Sequence, residues 1–488
     1  MPYNNDFYVT LYRDIDELKN LHKHGSHTVV VWGTGAYGSQ VCMTLEAFGI
    51  PVACFGDNDK ARAGTYIYGK EIIGQESLVD IQHPFIVIGS MFVREIYEQL
   101  RALGISEVHA IIECLKYPHA DHIEERGALA EYFAGYEKNI SERVLIEVND
   151  FIGDVIIKSG VFRALIDKYG YENVYFFCDD IYDGGIADIL RLFSNNIIMV
   201  DRRAFFEDKA YRLEALTALN SKYFKASISI CGLEHHSGRR FLNFLNFNVR
   251  RIEINRYIYS NTYMLGQDVR FARNLLGYDF TDDWQLQPKG RINDAVKQID
   301  MKHSVPAKFV AVGVGAKNVL RTYSARKYAV VADYLIGEGY YLAVLGQGAD
   351  DEAYLAAMLE YITIDKSKVI SFINRLTITE SFYVLYKSCF FVGVESGMWN
   401  ASFVLDKPSV VIYGGGDYGG FKHDDKKIVY VTVADHSCFN CRWRCANMAQ
   451  GGKAKCVDGI EPRQIVGAIE RLTKNTLGSN IKNEHRAV

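Results

Sequence analysis

The chain carries little net charge and no long hydrophobic run. Its 488 residues have a formal net charge of −4 at pH 7, so nothing in the composition suggests a protein that binds nucleic acid or a membrane surface. No apolar run approaches the roughly 20 residues that a membrane-spanning helix needs. Residues 1–6 show no basic region followed by an apolar stretch, so we expect no signal peptide. These absences favour a cytoplasmic protein.

The cysteines fall into a scattered group and a cluster. Six of the 10 are scattered, most of them in apolar runs typical of buried strands, and we expect these to be reduced. The other four follow a C-x2-C-x3-C-x10-C pattern at Cys438, Cys441, Cys445 and Cys456. This spacing predicts a structural zinc site, or an iron site with the same ligands, because four thiolates leave no open position for catalysis. An iron–sulfur cluster and four free thiols are the alternatives.

Strands that alternate with helices predict three α/β domains with mainly parallel sheets. The length of 488 residues allows about three domains of roughly 150 residues each. We place these domains at residues 1–138, 139–300 and 301–475, and we expect a flexible tail at 476–488. Two such domains in tandem predict a cleft at the carboxyl ends of their strands.

The first domain carries a glycine-rich turn after a predicted strand. Gly33, Gly35 and Gly38 form a G-x-G-x-x-G pattern, and Asp57 ends the next strand, as in a dinucleotide-binding fingerprint. No Tyr-x-x-x-Lys pair or other hydride-transfer arrangement follows in this domain. Residues 57–73 also resemble the nucleotide-binding domain that precedes some sugar acetyltransferases. We favour a regulatory or docking domain that binds a nucleotide, with an NAD(P)-dependent sugar oxidoreductase or epimerase as the alternative.

A polar turn between two C-terminal strands predicts an anion-binding site. Val394-Glu395-Ser396-Gly397 follows the predicted strand 389–392 and opens the predicted helix 398–405, and the strand 409–413 then leads into the glycine turn 414–417. The N-terminus of a helix carries partial positive charge and unpaired N–H groups, which suit a diphosphate. In a long α/β chain, this position favours a nucleotide-sugar enzyme.

Residues 140–475 resemble glycosyltransferase family 9, the ADP-heptose:lipopolysaccharide heptosyltransferase family. The strand and Gly-Asp turn that open the family's first domain correspond to 144–154. The opening of its second domain corresponds to 313–324, with Arg321 at the basic position, and its next glycine turn to 345–348. The signature Asp-Ser-Gly-Pro-Met-His-Leu-Ala aligns without a gap from Glu395 onward and runs on to Lys407-Pro408. Members often carry a cysteine-rich segment before the last helix, as this chain does.

Three positions depart from the signature of the family. Glu395 replaces its Asp, Met398 its Pro and Asn400 its His. Because these positions surround the donor sugar and phosphate, the heptose inference is affected more than the fold inference. A non-catalytic scaffold that binds nucleotide sugars therefore stays open beside the enzyme.

The resemblance implies a GT-B pair of Rossmann-like domains behind an N-terminal Rossmann-like domain. It also implies metal-independent, inverting transfer of a heptose or related sugar from a nucleotide-sugar donor, with an ADP-heptose-like donor favoured. The acceptor would be a hydroxyl of a bacterial surface glycan, while lipid-linked and protein acceptors, attachment to the inner membrane and oligomerisation stay open. No nucleic-acid partner is expected.

Asp154 and Arg321 are the predicted catalytic residues. Inverting transfer needs a base that takes the proton of the acceptor hydroxyl, and a carboxylate on a turn beside the cleft can do so. Asp150 is a rival in the same turn, and a helix-capping role for Asp154 is the structural alternative. The guanidinium of Arg321 can meet the negative charge that grows on the leaving diphosphate, with Lys317 and Lys327 as rivals.

The remaining predicted site residues would bind the two substrates. Glu395 would accept from sugar hydroxyls, and Ser396 would donate to a phosphate oxygen, although both could instead cap a helix. The full donor-binding set is Gly313, Gly315, Glu395, Ser396, Gly397 and Asn400. Arg239 and Arg240, in a basic loop of the second domain, are weaker candidates for an acceptor that carries phosphate.

Overall fold

The computed structural model describes three α/β units along the chain, each built on one sheet. The described residues are 11–13, 15–25, 27–90, 92–111, 113–114, 128–148, 151–181, 184–229, 250–254, 289–416, 418, 422–423, 425–434, 437–441, 443–446, 448 and 452–484. None of the described helices is long and apolar enough to cross a membrane.

The first unit is a sheet of seven strands: β1 (Tyr12–Arg13), β2 (Thr28–Trp32), β3 (Val52–Gly56), β4 (Tyr66–Ile67), β5 (Lys70–Ile73), β6 (Pro84–Ile88) and β7 (Val108–Ile111). Its helices are α1 (Ile15–Lys23), α2 (Ala36–Ala47), α3 (Val93–Ala102) and the 3-10 helix Gln75–Asp80. The strand order is β1-β7-β6-β2-β3-β5-β4, and only β4 pairs antiparallel. Alternate residues of β2 enter two separate apolar clusters, because helices cover both faces of the sheet.

The second unit contains the strands β8 (Glu113–Cys114), β9 (Val144–Glu147), β10 (Val174–Asp179), β11 (Ile197–Val200), β12 (Ala226–Ser229) and β13 (Arg250–Ile254). Its helices are α4 (Ala130–Ala134), α5 (Tyr136–Asn139), α6 (Ile152–Ile157), α7 (Ser159–Tyr169), α8 (Gly185–Arg191), α9 (Arg202–Glu207) and α10 (Lys209–Asn220). The strand order is β11-β10-β9-β12-β13-β8, and only β8 pairs antiparallel.

The third unit contains the parallel strands β14 (Phe309–Gly313), β15 (Tyr341–Leu345), β16 (Val369–Ser371), β17 (Phe391–Val394), β18 (Ser409–Ile412) and β19 (Ile428–Val431). Its helices are α11 (Asn293–Lys297), α12 (Ala325–Gly337), α13 (Ala349–Tyr361), α14 (Ile378–Lys387), α15 (Gly397–Val404), α16 (Lys455–Asp458) and α17 (Pro462–Glu484), with 3-10 helices at Val319–Arg321 and Lys366–Lys368. The strand order is β16-β15-β14-β17-β18-β19.

These strand orders confirm the predicted fold class of Rossmann-like α/β units with a GT-B type pair. In the third sheet the order reverses between β14 and β17, and in the second between β9 and β12. Ligands of such folds bind at the carboxyl ends of the strands beside this reversal. The turns that follow β9, β14 and β17 are therefore the positions at which the two units can form a site.

The structure departs from the sequence-based boundaries in three places. Strand β8 lies before residue 138 but pairs with β13 of the second sheet, a long-range contact with no local signal. The apolar residues after the Gly-Asp turn, which would suit one continuous helix, form two helices, α6 and α7, which meet at a turn at Lys158. Helix α17 continues to Glu484, although a flexible tail was expected from 476, because the polar residues there contain no helix-breaking proline.

The second and third units share one apolar core. A single cluster of buried residues joins Val155 and Phe162 of the second unit to Phe382 and Trp399 of the third. Backbone also crosses between distant segments, since the Gly290 N–H donates to the carbonyl of Val404 (2.6 Å). These contacts hold the carboxyl ends of the two sheets near each other.

Candidate active site

The turn between β17 and α15 lies at the strand reversal of the third sheet. Ser396 is the N-cap residue of α15, but its side chain makes no capping hydrogen bond. Its Oγ is buried and has no hydrogen-bond partner among the described residues. Since the side chain leaves the first N–H groups of the helix uncapped, this helix end keeps the donors that an anion would use.

Glu395 and Arg321 meet directly at this helix end. Glu395 is 2% exposed, and its Oε1 lies 3.6 Å from Nη1 of Arg321, an ion-pair distance. Arg321 ends the short 3-10 helix after β14, and its Cζ also lies 5.0 Å from the centroid of the Trp443 ring. The structure therefore brings together two predicted site residues from separate motifs. Because Ser396 occupies the cap position, Glu395 is not the helix cap.

Asp154 lies in the first turn of α6, in the second unit. The N-cap of α6 is Phe151, so Asp154 is not the cap residue that the structural alternative supposed. Its side chain is 6% exposed, close to the contact with the third unit. Nζ of Lys317, from the loop after β14, lies 4.8 Å from the centroid of the Phe151 ring. Both a carboxylate and a lysine therefore stand where the two units meet.

Glycine makes the contact between α6 and α15 possible. A Cβ on Gly153 would lie 2.7 Å from Asn400 Nδ2 and 3.4 Å from the Cα of Gly397. A Cβ on Gly397 would lie 3.4 Å from Ile152 Cγ2. Because real Cβ atoms rarely approach so closely, the Gly-Asp turn of the second unit can touch the α15 turn only with glycine at position 153.

Asn400 faces this contact and a buried histidine. It is 6% exposed, and His423 Nε2–H donates to its Oδ1 over 3.1 Å. The His423 ring stacks on Phe403 with centroids 3.8 Å apart, and burial lowers the pKa of His423 to about 3. Asn400 was predicted to bind donor. Its oxygen lies against His423 and its nitrogen beside Gly153 of α6, and donor binding by Asn400 stays a prediction.

An acidic side chain that the sequence analysis missed fills the two glycine turns after β14 and β15. A Cβ on Gly315 or on Gly346 would collide with the carboxylate of Asp351, and the Gln347 N–H donates to Asp351 Oδ2 over 2.9 Å. Burial raises the pKa of Asp351 above its ordinary value, and the hydrogen bond from Gln347 offsets only part of this rise. Gly313 makes room for the ring of Phe391. An acidic residue in the first helical turn after a glycine turn was the available signal.

The glycine turn after β18 is covered by aromatic rings. A Cβ on Gly414 would lie 2.5 Å from the Trp443 ring, one on Gly416 would collide with the same ring, and one on Gly415 would collide with Phe439. The Asn440 N–H donates to the Gly415 carbonyl (2.7 Å). Because these glycines have no side chains, they leave room for the rings of the cysteine-rich segment, which lies against the end of the third sheet.

Three of the clustered cysteines lie near the fourth, the buried Cys456. Burial raises the pKa of the Cys456 thiol, and the three nearby cysteines raise it further. The Gly415 N–H, which donates to Cys456 Sγ over 3.3 Å, offsets part of this rise. None of the four forms a disulfide with another described cysteine. This donor set suits zinc or iron. Among the described residues, however, no group of three or more His, Cys, Asp or Glu side chains is arranged to hold a metal ion.

The glycine-rich turn of the first unit connects β2 to α2. Gly33 has φ of +120°, Gly35 is the N-cap of α2, and a Cβ on Gly38 would collide with the Gly33 carbonyl. Asp57 accepts from both the N–H and the hydroxyl of Thr34. Burial raises the pKa of Asp57, but the hydrogen bonds from Thr34 and Asp59 outweigh it and the pKa is lowered. The carboxylate of the predicted dinucleotide-binding fingerprint thus already has partners within the protein.

Three residues named from the sequence lie outside the described residues: Arg239, Arg240 and Asp150. The rival lysine Lys327 is described. Its Nζ donates to the Asp458 carbonyl (2.7 Å) and pairs with Glu461 (3.0 Å), which ties it to the loop before α17. Arg321 and Lys317 remain as the basic residues beside the α15 and α6 turns.

Comparison with solved structures finds similar GT-B proteins at low identity. The glycosyltransferase family 9 protein of Veillonella parvula is 14% identical to this chain and has a TM-score of 0.48. The alignment covers 68% of this chain and 96% of the Veillonella protein. ADP-heptose lps heptosyltransferase II of E. coli is 14% identical, with coverages of 68% and 99% and a TM-score of 0.49. The iron-containing dodecameric glycosyltransferase TibC of E. coli H10407 is 14% identical to this chain and has a TM-score of 0.42. The alignment covers 69% of this chain and 77% of TibC.

Family-wide sequence models match two parts of the chain, whereas a search of curated proteins finds no match. Residues 25–111 match the C2185-like N-terminal domain. Residues 222–449 match glycosyltransferase family 9 (heptosyltransferase), the family that the Gly-Asp turn, Arg321 and Glu395 had suggested. The chain therefore contains a domain similar to glycosyltransferase family 9, preceded by a domain similar to the C2185-like N-terminal domain.

Proposed function

We propose that the protein transfers a heptose or related sugar, with inversion, from a nucleotide-sugar donor to a hydroxyl of a bacterial surface glycan. One observation carries the proposal. The Arg321–Glu395 pair lies at the N-terminus of α15 (Nη1 to Oε1, 3.6 Å), and this turn contacts the α6 turn that carries Asp154. A diphosphate at the helix end would thus lie between a guanidinium and a carboxylate from opposite units.

On the donor side, the residues offer complementary charge. The uncapped N–H groups of α15 and the Ser396 hydroxyl would donate to phosphate oxygens. Glu395 would accept from donor hydroxyls, with Arg321 between it and the phosphates. Asp351, held in the glycine turns after β14 and β15, would accept from another hydroxyl of the donor. We favour an ADP-linked sugar, as the family resemblance implies.

On the acceptor side, Asp154 would act as the base. Its carboxylate would take the proton of the acceptor hydroxyl as that oxygen attacks the anomeric carbon of the donor. The bond from this carbon to the diphosphate oxygen breaks, and the nucleoside diphosphate leaves with the electron pair. Arg321 and the α15 N–H groups would stabilise the charge that develops. This proposal assigns no step to a metal ion.

The cysteine-rich segment would have a structural role, with a bound metal ion that holds it in its folded form. We assign zinc or iron to Cys438, Cys441, Cys445 and Cys456, supported by their proximity around the Cys456 thiol. A metal there would fix a segment too short to have its own core, since bound metal stabilises only the folded form. The C2185-like domain would dock or sense a nucleotide through Gly33, Gly35 and Gly38. A cytoplasmic location, with contact to the inner membrane, completes the proposal.

Replacement of the proposed base tests the mechanism. Asp154→Ala should lower kcat by about a hundredfold to ten-thousandfold, the usual contribution of general-base catalysis, while calorimetry shows ADP affinity close to that of the wild type. Asp154→Asn is the control that keeps the side-chain shape without the base, and it should be equally slow. Near-normal kcat in either variant would reject Asp154 as the base. Thermal shifts with ADP, UDP and GDP would identify the nucleotide.

Replacement of one cysteine tests the metal site. Cys441→Ser should lower the zinc or iron content measured by elemental analysis, because a tetrahedral site loses one of its four ligands. Cys389→Ser, outside the cluster, is the control and should keep the wild-type content. Equal metal content in all three proteins, or none in the wild type, would refute the site.

A further inference from the structure

We propose that Trp443 is a positioning residue that holds Arg321 in the donor site, so that the cysteine-rich segment is part of that site. This inference rests on the proposed function. It gives the segment a role in transfer that is separate from any metal. Trp443 does not touch the reacting atoms in this proposal and acts only through Arg321.

Arg321 needs an external support. It ends a three-residue 3-10 helix, an element with little stability of its own. A long arginine side chain also loses rotamer entropy when it is fixed. Glu395 contacts the guanidinium at Nη1 (3.6 Å), and the Trp443 ring lies 5.0 Å from its Cζ. A ring face within about 6 Å of a cation attracts it and restricts its orientation.

The position of the Trp443 ring is itself strongly determined. Two glycines, Gly414 and Gly416, leave the space that the indole occupies, since a Cβ on either would run into the ring. Trp443 also adopts φ of +59°, a left-handed conformation that is rare for a bulky residue. Such a conformation persists only where the surroundings enforce it, and it is frequent at functional sites.

The segment and the sheet are joined on both sides of this ring. Phe439 lies over Gly415, the Asn440 N–H donates to the Gly415 carbonyl (2.7 Å), and the Gly415 N–H donates to Cys456 Sγ (3.3 Å). A displacement of the segment would therefore move the indole away from the guanidinium. Through this chain of contacts, the order of the segment sets the order of Arg321.

The first experiment compares Trp443→Leu with Trp443→Phe in the transfer assay. Loss of the ring should lower kcat/KM for the donor about tenfold, with KM for the acceptor unchanged. Trp443→Phe keeps an aromatic face and should recover most of the rate. Met448→Leu, at an exposed position of the same segment, is the control and should stay near wild type. Equal rates in wild type and Trp443→Leu would overturn the proposal.

A double-mutant cycle separates positioning from general structural damage. If Trp443 acts through Arg321, Trp443→Leu should cause no further loss in an Arg321→Ala background. Losses that multiply would overturn the proposal. Gly416→Ala supplies an independent perturbation, since its Cβ would displace the ring, and it should reproduce the Trp443→Leu defect. Gly337→Ala, with no atom within 4 Å of the new Cβ, is its control.

A direct readout keeps this inference distinct from the proposed function. In protein labelled with 13C-arginine, the Cζ signal of Arg321, assigned with Arg321→Lys, should shift and narrow in Trp443→Leu because the guanidinium becomes mobile. An unchanged signal would overturn the inference even in an active enzyme. A wild type that transfers no sugar from any nucleotide donor, but shows the signal change, would reject the proposed function and leave the positioning role intact.

Discussion

Buried polar residues around α15 find partners from distant parts of the chain. His423 is fully enclosed, stacks on Phe403 and donates to Asn400, which in turn lies against Gly153. A charged imidazolium would lose its hydration there, so burial favours the neutral form. The family's usual histidine at position 400 is absent, and a histidine from a later segment meets the asparagine that replaces it.

The neutral His423 predicts a pH dependence of stability. Burial lowers its pKa to about 3, against an ordinary value of 6.5. Between these values the unfolded histidine binds a proton that the folded one does not, so stability is lost as the pH falls below 6.5. At pH 5 the loss from this residue should be about 2 kcal/mol.

Urea unfolding at pH 7 and pH 5 measures this loss. His423→Phe keeps the ring stack and removes the titrating group, so its stability should fall less between the two pH values than that of the wild type. His303→Gln, at an exposed position, should fall as much as the wild type. The prediction is wrong if His423→Phe and the wild type lose equal stability.

At the scale of elements, the helix N-termini of α6 and α15 approach each other through glycine. The approach brings Asp154 and the Glu395 turn to one place, although the two belong to different sheets. Helix α6 follows β9 in the chain and α15 follows β17, so the strand reversals of both sheets face the same region. The geometry of the site is thus a property of two elements in contact, and a small change at that contact should affect the whole site.

Gly153→Ala tests this contact. The new Cβ would lie 2.7 Å from Asn400 Nδ2, so α6 must move, and we expect a loss of about 1–3 kcal/mol in the free energy of unfolding together with slower transfer. Gly337→Ala on α12, with open space around its Cβ, should instead gain up to about 1 kcal/mol from helix propensity. Urea unfolding and the transfer rate measure both variants. Unchanged stability and rate in Gly153→Ala would contradict the interpretation.

At the scale of the whole molecule, the apolar clusters divide the chain differently from the three sheets. Two clusters within residues 11–111 contain only first-unit residues. The largest cluster, by contrast, combines residues of the second and third units. Units that share a core unfold together, whereas a unit with its own core can unfold alone.

Calorimetry of the full chain should therefore show two transitions. One should match that of an isolated fragment 1–112, and the other should come from the second and third units together. A fragment 113–488 should unfold at a higher temperature than 138–488, because the shorter one lacks β8 and the buried Leu129. One transition for the full chain, or equal midpoints for the two fragments, would contradict this division.

Features that depend on a local pattern could be predicted from the sequence alone. Runs of apolar residues indicated the strands, and glycine turns marked where they end, because turn chemistry is a property of neighbouring residues. The Gly-Asp turn, the basic residue before α12 and the Glu-Ser-Gly turn identified Asp154, Arg321 and Glu395 through the family resemblance. The family match over 222–449 then confirmed the class of enzyme.

The contacts between residues that are distant in the sequence depend on the tertiary fold. The pairing of Arg321 with Glu395 and Trp443, the bond from His423 to Asn400, and the place of Asp351 between two glycine turns join separate segments. No local pattern encodes these contacts, because each depends on how whole helices and sheets pack. For the same reason β8 could not be assigned to the second sheet, and the glycines of 414–416 could not be recognised as room for aromatic rings.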